Sequence, residues 1–255
     1  MGAIGVGVRF QCVTLRDDVH GLQALVTTPV FAFLLLSVYE HAGRPDLDSR
    51  AVVTTGLMGM WTVAVACSGQ IVAHERALGT LEHLLTAPTR FALVVLGRSF
   101  VVALVGCVGV IESAVVARVL FDSQLAMGSL GLALLTLGLA VVTTAAASTL
   151  VAALFVLSRT TRVYQAALTY PVFLLGGLMV PVTEYAPWLQ VACRGFYLSW
   201  LAELAHGSLN SMSWGDAVLP AGATAVLGLL MWATGHRLLA AFIERGRVTG
   251  ALAHA

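Results

Sequence analysis

Lysine is absent: all fourteen basic residues of the chain are arginine. That excludes a Schiff-base amine and the phosphate-binding lysine of a G-x-x-x-x-G-K-[ST] loop. Charge of either sign is scarce. Charged residues make up 11% and the net charge is +1, against about 25% charged in an ordinary soluble domain. No strong field calls for nucleic acid or an acidic partner. The four cysteines, Cys12, Cys67, Cys107 and Cys193, form no C-x-x-C pair, so a disulfide framework is excluded. Of the four, only Cys193 is expected to face the outside. The seven histidines are dispersed without an H-x-x-x-H pair, and no metal site is indicated. The apolar stretch from Met1 to Val8 has no basic region before it and runs into Arg9, so it is not expected to be a secretory leader.

What the chain has in abundance is apolar surface. Hydrophobic residues make up 58%, and the mean hydropathy is +0.89. A soluble chain of this kind would lack the charge to stay in solution, so lipid must cover much of it. Six apolar runs approach the roughly 20 residues needed to cross a bilayer: 22–39, 51–73, 91–117, 126–157, 163–182 and 217–241. The fourth is too long for one upright span, which implies tilt or extension beyond the membrane. Strict alternation is missing, which leaves helices, since a helix satisfies its own backbone in lipid. The expected fold is an all-α integral membrane protein with six transmembrane helices in one domain.

Arginine placement sets the expected orientation. With the N-terminal side inside, the inner segments hold Arg9, Arg16, Arg76, Arg90, Arg159, Arg162, Arg245 and Arg247, and the outer ones Arg44, Arg50 and Arg194. Both termini are therefore expected in the cytoplasm, in the cell membrane. Residues 1–21 mix apolar and charged positions; they read either as a cytoplasmic amphipathic segment or as a plain tail. Residues 183–215 hold Tyr185, Trp188, Phe196, Tyr197, Trp200 and Trp214, the aromatic content of a membrane interface. Pro181 and Pro187 break helices there. Short outer re-entrant helices are expected, with an ordinary loop as the alternative.

Between the second and third runs, residues 74–88 read as a short amphipathic helix, with Leu78, Leu81 and Leu85 at helical spacing and Pro88 at its end. Such a helix suits contact with another subunit; a plain interfacial connector would use the same spacing. The motif E-R-x-x-G-T-L-E-x-L-L-x-x-P over Glu75–Pro88, however, resembles the hallmark segment of type 2 ABC transporter permeases. That family exports drugs, natural products, lipids and polysaccharides. Gly97-Arg98 and the pair Gly176-Gly177-Leu178-Met179-Val180-Pro181 and Ala186-Pro187-Trp188-Leu189 are similar to family patterns as well. Where relatives often have another proline, this chain has Arg194-Gly195-Phe196-Tyr197, which leaves the form of the outer region open.

The resemblance implies a coupling helix in which Glu75, Arg76, Gly79, Thr80, Leu81, Glu82, Leu85 and Pro88 meet a separate ATP-binding cassette subunit. ATP and Mg would be bound there, and this chain would carry no cofactor and no catalytic residue. It also implies a second permease copy or a related permease as partner, alongside membrane lipid. The cargo of such an exporter, given few charges in the spans, is expected to be amphipathic or lipophilic, as in multidrug or natural-product efflux. Within the third run, Arg98 is expected to snorkel to the inner headgroups. Glu112 lies near the outer boundary; either it reaches outer water or, with Arg118, it lines an outer gate.

Two other classes fit parts of the sequence. An ion-driven secondary transporter would show internal repeats and broken helices, and no repeat is evident. An intramembrane serine protease would pair Ser68 with a base such as His206 or His236; a hydroxyl bonding its own helix is the simpler expectation for Ser68.

Overall fold

The computed structural model describes residues 5, 7–9, 11, 19–44, 47–77, 91–123, 128–156, 161–180, 182–210 and 212–249. Among them the regular structure is helical, without strands. In chain order the helices are α1 (Val19–His41), α2 (Asp48–Ala77), α3 (Phe91–Gly106), α4 (Val108–Leu120), α5 (Leu130–Val156), α6 (Thr161–Leu175), α7 (Pro187–Arg194), α8 (Tyr197–Leu209) and α9 (Trp214–Thr249). The described part of each expected apolar run is largely helical. Four stretches are long and apolar enough to cross a membrane: Asp48–Ser68, Leu93–Leu120, Leu130–Phe155 and Trp214–Phe242. In α1 the described apolar stretch, Val26–His41, is shorter.

The third run is divided, α3 and α4 meeting at Cys107. The fifth differs most from expectation. In place of 163–182, α6 ends at Leu175. The cause is a Schellman stop. Gly177 adopts φ 65°, Gly177 N–H bonds Leu174 O at 3.1 Å, and Leu178 N–H bonds Phe173 O at 3.3 Å. Only glycine takes that left-handed backbone freely, so Gly176-Gly177 halts the helix short of a full crossing.

α2 is the centre of the bundle. It is packed against α1, α3, α4, α5, α6 and α8, and 83% of its most apolar window is buried inside the protein. Small residues let its neighbours close on it, as is usual where helices associate in lipid. A Cβ on Gly59 would collide with the Thr28 side chain of α1, one on Gly56 would come within 3.0 Å of Val110 Cα, and one on Gly106 within 3.0 Å of Met60 Cα. Thr55 Oγ1 of α2 donates to Ser113 Oγ of α4 at 3.1 Å. On the other side, α5 and α9 run parallel in constant register: a Cβ on Gly228 would press on Thr143, and one on Gly235 on Leu150.

The N-terminal segment reads as more than a tail. Its described positions Gly5, Gly7, Val8, Arg9 and Gln11 are helical, and Gly7 sits directly on the Val94 backbone of α3. One turn on, Arg98 Nε donates to Gln11 Oε1 at 2.8 Å. Arg98 is therefore not snorkelling; it is buried. A guanidinium so enclosed needs a hydrogen-bonding partner, and the N-terminal segment supplies one.

The Gly59 contact gives a direct test. Gly59→Val should lower the thermal midpoint of the purified protein, an overpacking cost of about 1–3 kcal/mol. Gly222→Ala, at a position with open space around it, should leave the midpoint unchanged or raise it slightly.

Candidate functional site

The described residues whose arrangement departs most from a plain helical bundle lie in and around α7 and α8. α7 starts with Pro187 in its first turn after an extended Ala186 (ψ 146°), where a missing N–H costs nothing. It ends at Gly195, and an extended Phe196 (ψ 130°) turns the chain into α8. The sequence Arg194-Gly195-Phe196-Tyr197, left open above, is this elbow. Three contacts clamp it. Arg194 forms an ion pair with Glu203, its guanidinium lies 4.1 Å from the centre of the Trp200 ring, and Trp200 Nε1 donates to Arg194 O at 2.9 Å.

α8 is a buried helix, with nine of its thirteen residues enclosed, among them Tyr197, Leu198, Leu201 and Leu204. Its depth follows from its partners. The Tyr197 ring packs 6.4 Å from that of Trp61, and Tyr197 Oη lies 3.2 Å from Thr144 Oγ1. Trp61 and Thr144 each lie about 20 Å from the starts of α2 and α5, at 1.5 Å per residue. At the other end of α8, His206 Nε2 lies 3.3 Å from Thr54 Oγ1, near the start of α2. α8 thus begins halfway along the bundle and climbs to the end where α2, α5 and α9 begin. α6 approaches from the opposite end, and Leu198 touches Gly176 at its stop. The break is closed by the protein: Tyr185 Oη donates to Leu174 O at 3.0 Å, and Gln190 Nε2 to Tyr185 O at 2.8 Å. Trp188 and Trp214 remain exposed at the rim, as interfacial aromatics do. Pro181 lies outside the described residues.

Cys193, expected on the outer side, is fully buried. Burial pushes its thiol up, with the Arg194 charge opposing only in part. The α7–α8 elbow packs it away because it lies on the inner side of a short helix whose outer side carries Trp188 and Val191.

Among the coupling residues, Glu75 and Arg76 belong to the last turn of α2, which continues without interruption to Ala77. Gly79, Thr80, Leu81, Glu82, Leu85 and Pro88 lie outside the described residues. Glu112 and Arg118 do not meet. Arg118 Nη1 pairs with Asp122 Oδ1 at 3.0 Å, one turn on and largely exposed. Glu112 is half-buried on α4, and its Oε2 has no hydrogen-bonding partner among the described residues. Ser68 donates to Ala64 O of its own helix and lies 2.6 Å from Ser148 Oγ. His206 is held at Thr54, about 21 Å back along α2, and the His236 ring stacks on Trp232. No histidine bonds Ser68 among the described residues, so the arrangement offers no nucleophile–base pair there.

The Gln11–Arg98 bond and the Arg194–Glu203 pair were not anticipated. Only the first left a trace in the sequence, a basic residue inside an apolar run. A model of the ABC-2 type transporter family matches residues 7–209. No curated protein matches the chain.

The buried thiol makes a clear forecast. In a variant with Cys12, Cys67 and Cys107 replaced by alanine, a maleimide should leave Cys193 unmodified in the folded protein and label it fully on unfolding. A cysteine placed at exposed Ser213 should react at once. Rapid labelling of Cys193 in the folded state would contradict the packing of the elbow.

Proposed function

Since the chain belongs to the ABC-2 type transporter family, we propose that it is the permease subunit of an exporter driven by a separate ATP-binding subunit, which moves an amphipathic or lipophilic cargo out of the cytoplasm. Family membership carries this reading. The working unit is a pair of permeases, each docked to an ATPase that binds ATP and Mg, with both termini on the cytoplasmic side of the cell membrane. This chain contributes no step of hydrolysis; it converts motion of its partner into altered access.

The form of α2 supports that role. The helix of 30 residues runs unbroken from Asp48 to Ala77, about 45 Å, so it extends past a hydrocarbon core of about 30 Å. Residues 74–88, beginning on its last turn, act as the coupling helix. A push on them passes into α2 without a flexible joint at Glu75 or Arg76. Because α2 touches six other helices, the whole bundle responds. Glu112 serves as an outer gate residue facing the second permease, where its free carboxyl oxygen meets cargo or a cationic group of the partner.

Two tests follow. Glu82→Arg and Glu75→Arg should abolish export, and reduce copurification of the ATPase, while the protein still inserts. Removing one member of an interfacial charge pair costs about 2–5 kcal/mol, and normal export by both variants would refute the docking assignment. Glu112→Gln should change export rate or cargo preference at normal membrane levels; wild-type export across several cargos would remove Glu112 from the gate.

A further inference from the structure

Among the described residues, the seam between α2 and the final turn of α8 holds an arginine, Arg50, that forms no ion pair. Arg50 stands one turn before Thr54 on α2, and Thr54 Oγ1 lies 3.3 Å from His206 Nε2. Burial first, and the charge of Arg50 second, hold that imidazole in its neutral form. Arg50 itself is half-buried, and its Nε is buried with no hydrogen-bonding partner. A buried guanidinium donor left unmade is costly.

Four described carboxylates bond other groups, and Asp46 lies outside the described residues. Glu203 pairs with Arg194, Asp48 Oδ2 accepts from Ser123 Oγ at 2.5 Å, Asp122 pairs with Arg118, and Asp216 Oδ2 accepts from Ser213 Oγ at 2.7 Å. A cation at a helix C-terminus could instead cap free carbonyls, but four in the last turns of α8 already accept hydrogen bonds. Ala205 O accepts from Ser208 Oγ at 2.7 Å. His206 O and Gly207 O accept from Asn210 N–H at 3.3 and 3.1 Å, and Ser208 O accepts from Ser129 N–H at 3.0 Å.

We propose that Arg50, with His206 and Thr54 beside it, forms a binding site for an oxyanion, the phosphate or carboxylate of an amphiphile headgroup or of a free anion. The guanidinium supplies a two-pronged donor matched to such groups. The site lies at the end where α2, α5 and α9 begin, beside the last turn of α8. It requires no transport and no ATPase.

The test is binding to the purified full chain in a maltoside detergent free of phosphate. Inorganic phosphate and phosphatidylglycerol are titrated separately, and the thermal midpoint is followed. Wild type should gain about 5 °C near saturation with at least one probe; a response to phosphatidylglycerol alone identifies a headgroup, and a response to phosphate identifies a free anion. Arg50→Gln should abolish the gain. Arg50→Lys keeps the charge but loses the fork, and should need roughly tenfold more probe for the same gain. No gain with either probe, or titration curves for Arg50→Lys that superimpose on wild type, would overturn the site. Because the readout is binding alone, a positive result stands even if export fails to depend on an ATPase, and a negative one leaves the export reading untouched.

Discussion

The chain breaks its helix between α6 and α8, and much of the architecture is arranged around that break. A chain that turns around inside a membrane exposes N–H and C=O groups that hydrocarbon cannot bond. Here the turn is set in the crook between α2 and α5, with Trp61, Thr144 and Tyr197 around it. Side chains of Tyr185 and Gln190 bond the Leu174 and Tyr185 carbonyls. The small residues of α2, by letting α1 and α4 approach closely on its far side, free the side that faces α8. The enclosure of α2 and the depth of α8 are therefore two aspects of one packing solution.

The same solution explains why the elbow carries charge. Arg194 and Glu203 are too polar to lie unpaired beside an apolar core, and each is about a third exposed. As a partly solvated pair they contribute little to stability. Their value is geometric: with the Trp200 ring under the guanidinium and its N–H on the Arg194 carbonyl, the turn has one conformation. Proline-free here, the elbow obtains from three side-chain contacts the stiffness that a ring would otherwise impose.

Much of the fold was legible in sequence, because lipid makes helices easy to read: the described part of each apolar run is largely helical, and Pro187 marked the start of a short helix. The end of α6 was written in Gly176-Gly177, but a glycine pair in an apolar run signals packing and stopping alike, and only the left-handed Gly177 decides between them. Burial of Arg98 and Cys193 was not legible. Both depend on segments remote in the chain arriving alongside, Gln11 for one and the folded elbow for the other, and hydrophobic periodicity is blind to such meetings. The orphaned Arg50 escaped for the same reason: its neighbour His206 comes from another helix.

α2 is the least apolar of the four long stretches, at a mean hydropathy of 1.5 against 2.4, 2.1 and 1.7 for the others, and it is the most enclosed. The ribosome delivers it before α4, α5 and α8, the helices that later surround it. For that interval it must stand in lipid with its hydroxyls uncovered. Thr55, Thr62 and Ser68 each donate to a carbonyl one turn back in α2 itself, which gives them a provisional partner while they wait. Ser113 and Ser148 then arrive as second partners. The order of synthesis thus asks of α2 a sequence tolerable to lipid and better suited to protein, and its serines and threonines meet both conditions in turn.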